Sequence, residues 1–387
     1  MNQGCFGRQD SGLTGKVAFV LGTRPEIVKL ASLIRLLPGQ AALVHTGQHY
    51  DDRMSGAFFT DCGLAAPDVT LDIGGLSRSA QIGRAVHALG ELFAETRPAA
   101  VVVQGDTNSA LAGALAANAH EIPLVHVEAG LRSRDRAMPE EHNRILIDHV
   151  ADLLCAPTPE NAANLRAEGI AEQRIAITGN TVVEALRATL PSPGIREKLL
   201  TEVGVQAGCF VLATIHRPEN TDDPRALTAI VEQFGAIAEL DRPVVFPVHP
   251  RTRAALHAAG IGALPAGIIA CEPLGYRDFL ALAAECALLI SDSGGIQEEA
   301  TVLGRPLIVV RRSTERPEAL RDFATLVPPG PEIGALALRL LADSGALITR
   351  LSAVPSPYGD GTASEQIRAL LYSAVLAEAV ASPVTDH

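Results

Sequence analysis

Three carboxylates, each just past a short apolar run or at the start of the helix after it, are the groups in this chain best suited to moving a proton. Asp106 lies in Gln104-Gly105-Asp106-Thr107, after the apolar run 99–103. Glu128 lies in His126-Val127-Glu128-Ala129-Gly130, after Pro123–Val127, and Glu140 in Pro139-Glu140-Glu141-His142-Asn143-Arg144. General acid–base chemistry needs positioned carboxyl groups, and clustering raises the pKa of at least one towards neutrality. Asp106 is placed equally well to cap the helix that follows it, and Glu140 and Glu141 suit the dipole of a Pro-started helix. Convergence of three separate loops weighs for chemistry over capping.

A second constellation reads as an anion site. Ser291-Asp292-Ser293-Gly294-Gly295-Ile296-Gln297-Glu298-Glu299 follows the apolar run 286–290 and precedes Pro306–Val310, giving strand, tight turn, helix and strand. Ser293, Gly294 and Gly295 leave unpaired N–H groups at the helix start, where the dipole favours phosphate. Glu298 and Glu299, one turn on, suit hydroxyls such as those of a ribose. Together they indicate a nucleotide of unspecified kind. Cations collect at similar positions: Arg24 and Lys29 after Gly22-Thr23-Arg24-Pro25-Glu26, His216 and Arg217 before Pro218, His249 before Pro250, and Arg316 in Thr314-Glu315-Arg316. The first half therefore carries the acids and bases, and the second half the groups to hold a nucleotide leaving group. There is no Gly-x-Gly-x-x-Gly after the first apolar run, which disfavours a nicotinamide dehydrogenase, and no Walker-type loop. No His, Cys or carboxylate cluster has metal-ligand spacing, so neither a catalytic metal nor a cofactor is expected.

The elements that position these residues follow from periodicity. Apolar runs at 17–22, 41–46, 99–104, 123–127, 153–156, 174–177, 209–214, 243–248, 267–271, 287–291 and 306–310 alternate with helix-length segments. Continuous Val, Ile, Leu and Ala runs are those of parallel strands covered on both faces. The fold class is α/β, with two Rossmann-like doubly wound domains facing across a cleft. Residues 1–15 read as a disordered extension and 16–190 as the first domain. Residues 191–357 form the second domain, after the break at Pro191-Ser192-Pro193-Gly194. A last amphipathic helix, about 362–381 within the segment 358–381, completes the chain.

Composition bounds the rest. At 387 residues the chain exceeds one ordinary core, and 47% hydrophobic content suffices for two. A net charge of -12 argues against nucleic acid or an anionic membrane as a partner. No apolar stretch approaches the roughly 20 residues of a membrane span. The six scattered cysteines carry no CxxC pair and read as reduced thiols of a cytoplasmic protein.

At these motifs the chain resembles the non-hydrolysing UDP-N-acetylglucosamine 2-epimerases, which have the glycosyltransferase-B fold. The similarity runs from about Val17 to about Leu371. It includes Gly22–Glu26, Thr46-Gly47-Gln48-His49, Gly105-Asp106-Thr107, His126–Arg132, Pro139–Arg144, Thr178-Gly179-Asn180-Thr181, Asp292–Glu299, Thr314–Ala319 and Pro357–Gly361. The resemblance implies elimination of UDP from UDP-GlcNAc to 2-acetamidoglucal, then re-addition with protonation of the opposite face of C2, giving UDP-ManNAc. It implies that Asp106, Glu128 and Glu140 are the acid/base carboxylates and that His216 stands at the leaving UDP. Arg24 and Lys29 would lie near the diphosphate, and Phe279, Ser293, Gly294, Gly295 and Glu299 would contact uracil, phosphate and ribose. It also implies a homodimer, and a last helix that crosses back onto the first domain. Many bacterial members carry a second Arg where this chain has Pro218, and many bind a second UDP-GlcNAc near groups matching Gln48, Arg217 and His249. The alternatives are a hydrolysing relative that releases ManNAc, a glycosyltransferase, and a catalytically silent sugar-nucleotide sensor.

Overall fold

The computed structural model describes residues 12–48, 59, 60 and 62–376. The first eleven residues of the expected extension, His49, and the end of the expected last helix (377–381) lie outside the described residues. The chain divides into two compact units, one running to Ala185 and resuming at Gly359, the other Leu186–Tyr358.

The first unit holds the strands β1 (Val17–Leu21), β2 (Ala41–His45), β3 (Val69–Thr70), β4 (Ala100–Gln104), β5 (Leu124–Val127), β6 (Leu153–Ala156) and β7 (Ile175–Ile177). They form one sheet in the order β3-β2-β1-β4-β5-β6-β7. The second unit holds β8 (Val211–Thr214), β9 (Val244–Pro247), β10 (Ile268–Cys271), β11 (Leu288–Ser291), β12 (Leu307–Val310) and β13 (Ala324–Val327), in the order β10-β9-β8-β11-β12-β13. Every pairing is parallel. The expected doubly wound α/β architecture is therefore present twice. In each sheet the strand order reverses at the first strand of the unit, between β1 and β4 and between β8 and β11. Open α/β sheets bind their ligands beyond the strand carboxyl ends at such switch points.

Side-chain alternation explains why each run is apolar throughout. In β1, Ala18 and Val20 enter one core while Val17, Phe19 and Leu21 enter the core on the opposite face. In β11, Leu288 and Ile290 face one core and Leu289 the other. The Ala-rich helix Asn108–Ala119 has small residues because it lies close to the sheet. A Cβ at Gly113 would come within 2.9 Å of Val103 and 3.0 Å of Val20. That close seat places the helix's first turn, with Thr107 as its cap, against the ends of β1 and β4. The helix Ala363–Leu370 buries Ile367 and, with Leu371 just beyond it, joins a core of the first unit. The Ser364 N–H donates to Glu184 at 2.9 Å.

Two strands, β3 and β13, were not among those expected from periodicity. β3 is two residues long and pairs only at Val44–Val69 and His45–Thr70. β13, at the edge of its sheet, buries its ends Ala324 and Val327 but leaves Thr325 exposed and Leu326 half-buried between them, so it lacks a continuous buried run.

Candidate active site

At the switch point of the first sheet, the chain leaves β1 through Gly22 and enters the helix Arg24–Arg35. A Cβ at Gly22 would fall 1.8 Å from the Ser109 hydroxyl and 2.6 Å from that of Thr46, so only glycine fits. The two hydroxyls are themselves 2.6 Å apart. Ser109 also donates to Gln48 Oε1, from its backbone N–H at 3.0 Å and its hydroxyl at 2.7 Å. Glu26 is buried in the first helical turn and joins the turns after β1 and β4. Its carboxylate accepts from the Gly22 N–H at 3.0 Å, the Thr23 hydroxyl at 2.8 Å and the Thr107 hydroxyl at 2.8 Å. Burial pushes the Glu26 carboxyl up to about 7 against the pull of those hydrogen bonds. Arg24, one turn position away, is exposed.

The three candidate carboxylates occupy one edge of this sheet. β4 pairs with β5 through Gln104–Val127, so Asp106 and Glu128 emerge from adjacent strand ends. Glu128 is buried and has a left-handed φ of 71°, a conformation that costs a non-glycine residue energy and is often found at functional sites. Its Oε2 accepts from Lys29 Nζ at 2.5 Å, Gln104 at 2.9 Å and Asn180 at 3.3 Å. Asp106 is held by Arg144, whose Nε lies 3.2 Å from Oδ2, while Asn143 donates to the Asp106 carbonyl at 2.8 Å. The helix Pro139–Val150 supplies both partners and carries Glu140 in its first turn. Glu140 is exposed and makes no side-chain hydrogen bond or ion pair with any described residue. Glu141 is buried and spends its oxygens on the Ser133 and Arg134 N–H groups (2.9 and 2.8 Å) and on Arg144 at 2.5 Å. Neighbouring acids are thus separated into an available one and a structural one.

In the second unit the turn after β11 opens the helix Gly294–Leu303, with Ser293 as a cap whose side chain makes no capping bond. The Ser293 N–H instead donates to the Ser291 hydroxyl at 3.0 Å. Asp292 is fully buried and gathers the turn after β8. It accepts from the N–H groups of His216 (3.0 Å) and Arg217 (2.9 Å) and from Asn220 at 3.0 Å, and the His216 Nδ1 lies 3.2 Å away. The ring of His249 lies 6.0 Å from that of His216. Burial lowers the His216 pKa, Asp292 opposes that, and Arg217, His249 and Arg251 lower it further. Glu315, also buried, faces three guanidinium groups: Arg316, Arg311 at 3.0 Å and Arg217 at 3.9 Å. A Cβ at Gly294 would come within 2.6 Å of the Arg316 guanidinium and 2.7 Å of the Glu315 carboxylate, so this pair would have to shift to admit one. Phe279 is half-buried on the helix Tyr276–Glu285, and Glu299 is buried on the helix Gly294–Leu303. Among the described residues no group of three or more His, Cys, Asp or Glu is placed to hold a metal ion.

A sequence profile of the UDP-N-acetylglucosamine 2-epimerases matches residues 38–372. The chain belongs to this family. A UDP-N-acetylglucosamine 2-epimerase of Methanocaldococcus jannaschii is 38% identical over 369 residues, covering 92% of this chain and 98% of that one. A crystal structure of the M. jannaschii UDP-GlcNAc 2-epimerase in complex with UDP-GlcNAc and UDP superposes with a TM-score of 0.82 at 38% identity, covering 92% of this chain and all of that one (100%). A UDP-2,3-diacetamido-2,3-dideoxy-D-glucuronate 2-epimerase of Pseudomonas aeruginosa is 40% identical over 311 residues, 78% of this chain and 84% of its own. The family resemblance carried by the motifs and the two-domain α/β fold are both borne out.

Three residues of the sequence motifs already have partners within this epimerase fold. The ammonium of Lys29, expected near a diphosphate, lies on Glu128. Glu298 was offered as a hydroxyl acceptor, but it is fully buried and binds Arg316 Nε at 2.7 Å. Arg316, one of the cations noted in the sequence, is buried between Glu298 and Glu315. Two residues were missed. Asp292 stands in the quoted motif, but only tertiary contact shows that it holds His216. Glu26 is a fourth carboxylate just beyond a strand end, in the same motif as Arg24.

Proposed function

We propose that this chain interconverts UDP-N-acetylglucosamine and UDP-N-acetylmannosamine without net hydrolysis. Family membership supports the activity class. The observation that carries the mechanism is the set of carboxylates at the carboxyl edge of the first sheet, with Asp106 and Glu128 on adjacent strand ends. Inversion at C2 needs one group to remove the proton and another to return it to the opposite face. Asp106, Glu128 and Glu140 are assigned these proton transfers. Removal of the C2 proton is accompanied by cleavage of the C1–oxygen bond, whose electron pair leaves with UDP and produces 2-acetamidoglucal. Re-addition of UDP at C1 with protonation at C2 completes the reaction, and atoms balance without a redox cofactor.

The second unit is assigned the leaving group. Arg217 supplies positive potential to the departing diphosphate, His216, oriented by Asp292, joins it on taking a proton as the diphosphate approaches, and the Ser293-Gly294-Gly295 turn supplies backbone N–H groups. Glu299 and Phe279 take the ribose and uracil, and Arg24 and His249 contribute further polar contacts. Lys29, Gln48 and Arg316 act through the groups they hold. The enzyme is read as cytoplasmic and as a homodimer, and sedimentation analysis would check the second of these.

The test follows the sugar by NMR in deuterated buffer. UDP-ManNAc deuterated at C2 is the expected product, and free ManNAc as the sole sugar product would establish the hydrolysing reaction instead. The similarity to the P. aeruginosa enzyme supports including a 2,3-diacetamido glucuronate nucleotide in the substrate panel.

A further inference from the structure

His126 lies on β5, two positions before Glu128 at the start of the turn, and is completely buried. Both of its ring nitrogens face oxygen. Nδ1 is 2.7 Å from Asp148 Oδ1, and Nε2 is 2.8 Å from the carbonyl oxygen of Gly105. A backbone carbonyl has no hydrogen to give. Asp148 also accepts from Arg132 at 2.8 Å and from the Gly130 N–H at 3.2 Å, so it too acts as an acceptor. Burial pushes the Asp148 carboxyl up, but His126 and Arg132 together pull it below the ordinary carboxylate range. A neutral imidazole has one N–H and one lone pair, so one of its two short contacts would set a lone pair against an oxygen lone pair.

We infer that His126 is held as an imidazolium, donating from both nitrogens, and that it is a positioning residue for Asp106. The charges facing it close on this assignment. Glu168 pairs with Arg132 through two hydrogen bonds of 2.7 and 2.6 Å, Arg132 with Asp148, and Asp148 with His126. Arg132 is shared between Asp148 and Glu168, and Glu168 is partly exposed and also lies 3.6 Å from His149, so the fully buried carboxylate facing the ring is Asp148, to which an imidazolium gives a buried counter-charge. The consequence reaches the candidate active site through the backbone. Gly105 takes a left-handed φ of 67°, its N–H donates to the Val127 carbonyl at 3.0 Å, and its carbonyl is taken by His126. Asp106, the next residue, has its own carbonyl held by Asn143. Both peptide groups flanking the Asp106 Cα are therefore pinned, which fixes the point from which its carboxylate reaches Arg144.

The role at Asp106 rests on the epimerase reading, but the protonation state does not, so the test separates them. With the histidines labelled by 15N in the full chain, two-bond 1H–15N correlation spectra would be recorded at about pH 7.5, above the ordinary range of histidine. The His126 resonances, assigned by their loss in His126→Gln, are expected to show two protonated nitrogens. In Asp148→Asn one of them should become unprotonated. A single lone-pair nitrogen in the unaltered protein overturns the inference. His126→Gln, which provides one donor where two are needed, should lower kcat for C2 deuterium exchange about ten- to a hundredfold with UDP affinity within about twofold. A wild-type kcat in a folded variant overturns the positioning role. Absence of C2 exchange in the unaltered enzyme defeats the epimerase reading and leaves the spectra to decide His126 alone.

Discussion

The ammonium of Lys29 and the carboxylate of Glu128 form a buried ion pair, Nζ to Oε2 2.5 Å, between the helix after β1 and the turn after β5. Breaking such a pair strands a charge where water cannot reach it, which costs about 3–5 kcal/mol. Lys29→Met should lose about that much stability in urea unfolding. Adding Glu128→Gln should restore part of it, because the stranded charge is then removed. Effects of the two substitutions that simply add, within about 0.5 kcal/mol, would show that the pair is not coupled.

Glu26 makes stability depend on pH in a defined direction. Its carboxyl rises from 4.5 to about 7 because it is buried. Between these values the folded protein holds a proton that the unfolded chain has released. The favourable contribution is thus complete below pH 4.5 and is lost as pH rises through 7. Its size is about 3 kcal/mol at 1.36 kcal/mol per pKa unit. The stability difference between wild type and Glu26→Gln should shrink accordingly, or change sign, from about pH 4 to pH 8 in paired unfolding curves. A constant difference would contradict the assignment.

Glu140 and Glu141 should separate activity from stability. Glu140 has no side-chain partner among the described residues, so Glu140→Gln is expected to leave stability within about 0.5 kcal/mol while lowering C2 exchange about 10²–10⁴-fold. Asp106→Asn should show a similar loss of exchange with UDP still bound. Glu141→Gln should instead lower the melting temperature, since Glu141 secures Ser133, Arg134 and Arg144. Unchanged exchange in both Asp106→Asn and Glu140→Gln would remove these carboxylates from the mechanism.

His216 should report the leaving group. Burial and the cations Arg217, His249 and Arg251 lower its pKa, with only Asp292 acting in the other direction. A diphosphate beside it adds negative charge, so UDP should move its NMR titration midpoint upward by about one unit. A midpoint unmoved by saturating UDP would place the diphosphate elsewhere. His216→Ala should slow UDP departure, and normal turnover would exclude the residue from the reaction.

Gly294 is predicted to be intolerant of a methyl group. Its Cβ would displace the buried Glu315–Arg316 pair, which overpacking makes costly by about 1–3 kcal/mol. Gly294→Ala should weaken UDP binding, measured calorimetrically, together with this loss of stability. Wild-type affinity would show that the pair and the anion turn are independent.

Much of the fold was legible because parallel strands covered on both faces are apolar at every position. β1 and β11 stand out for that reason, and their alternation into two cores needs no further information. β3 and β13 were not legible, because a strand of two residues and a half-exposed edge strand carry no such signal. Asp106, Glu128 and Glu140 were legible as carboxylates at strand ends or helix starts. The roles of Glu141 and Glu298 were not, because an acid that binds solvent or substrate has the same letter as one that binds a buried arginine.

By itself the sequence determined the α/β class, the two halves, the family, and which turns carry reactive groups, since periodicity and local motifs encode all of these. Tertiary structure alone decided which charges are already taken. It set Lys29 on Glu128, Arg316 between Glu298 and Glu315, His126 between Asp148 and Gly105, and Asp292 beneath His216. Apart from the adjacent Glu315 and Arg316, these partners come from different segments of the fold, up to 99 residues apart in the case of Lys29 and Glu128. Pairing at such separations depends on strand order and burial, which no local spacing records.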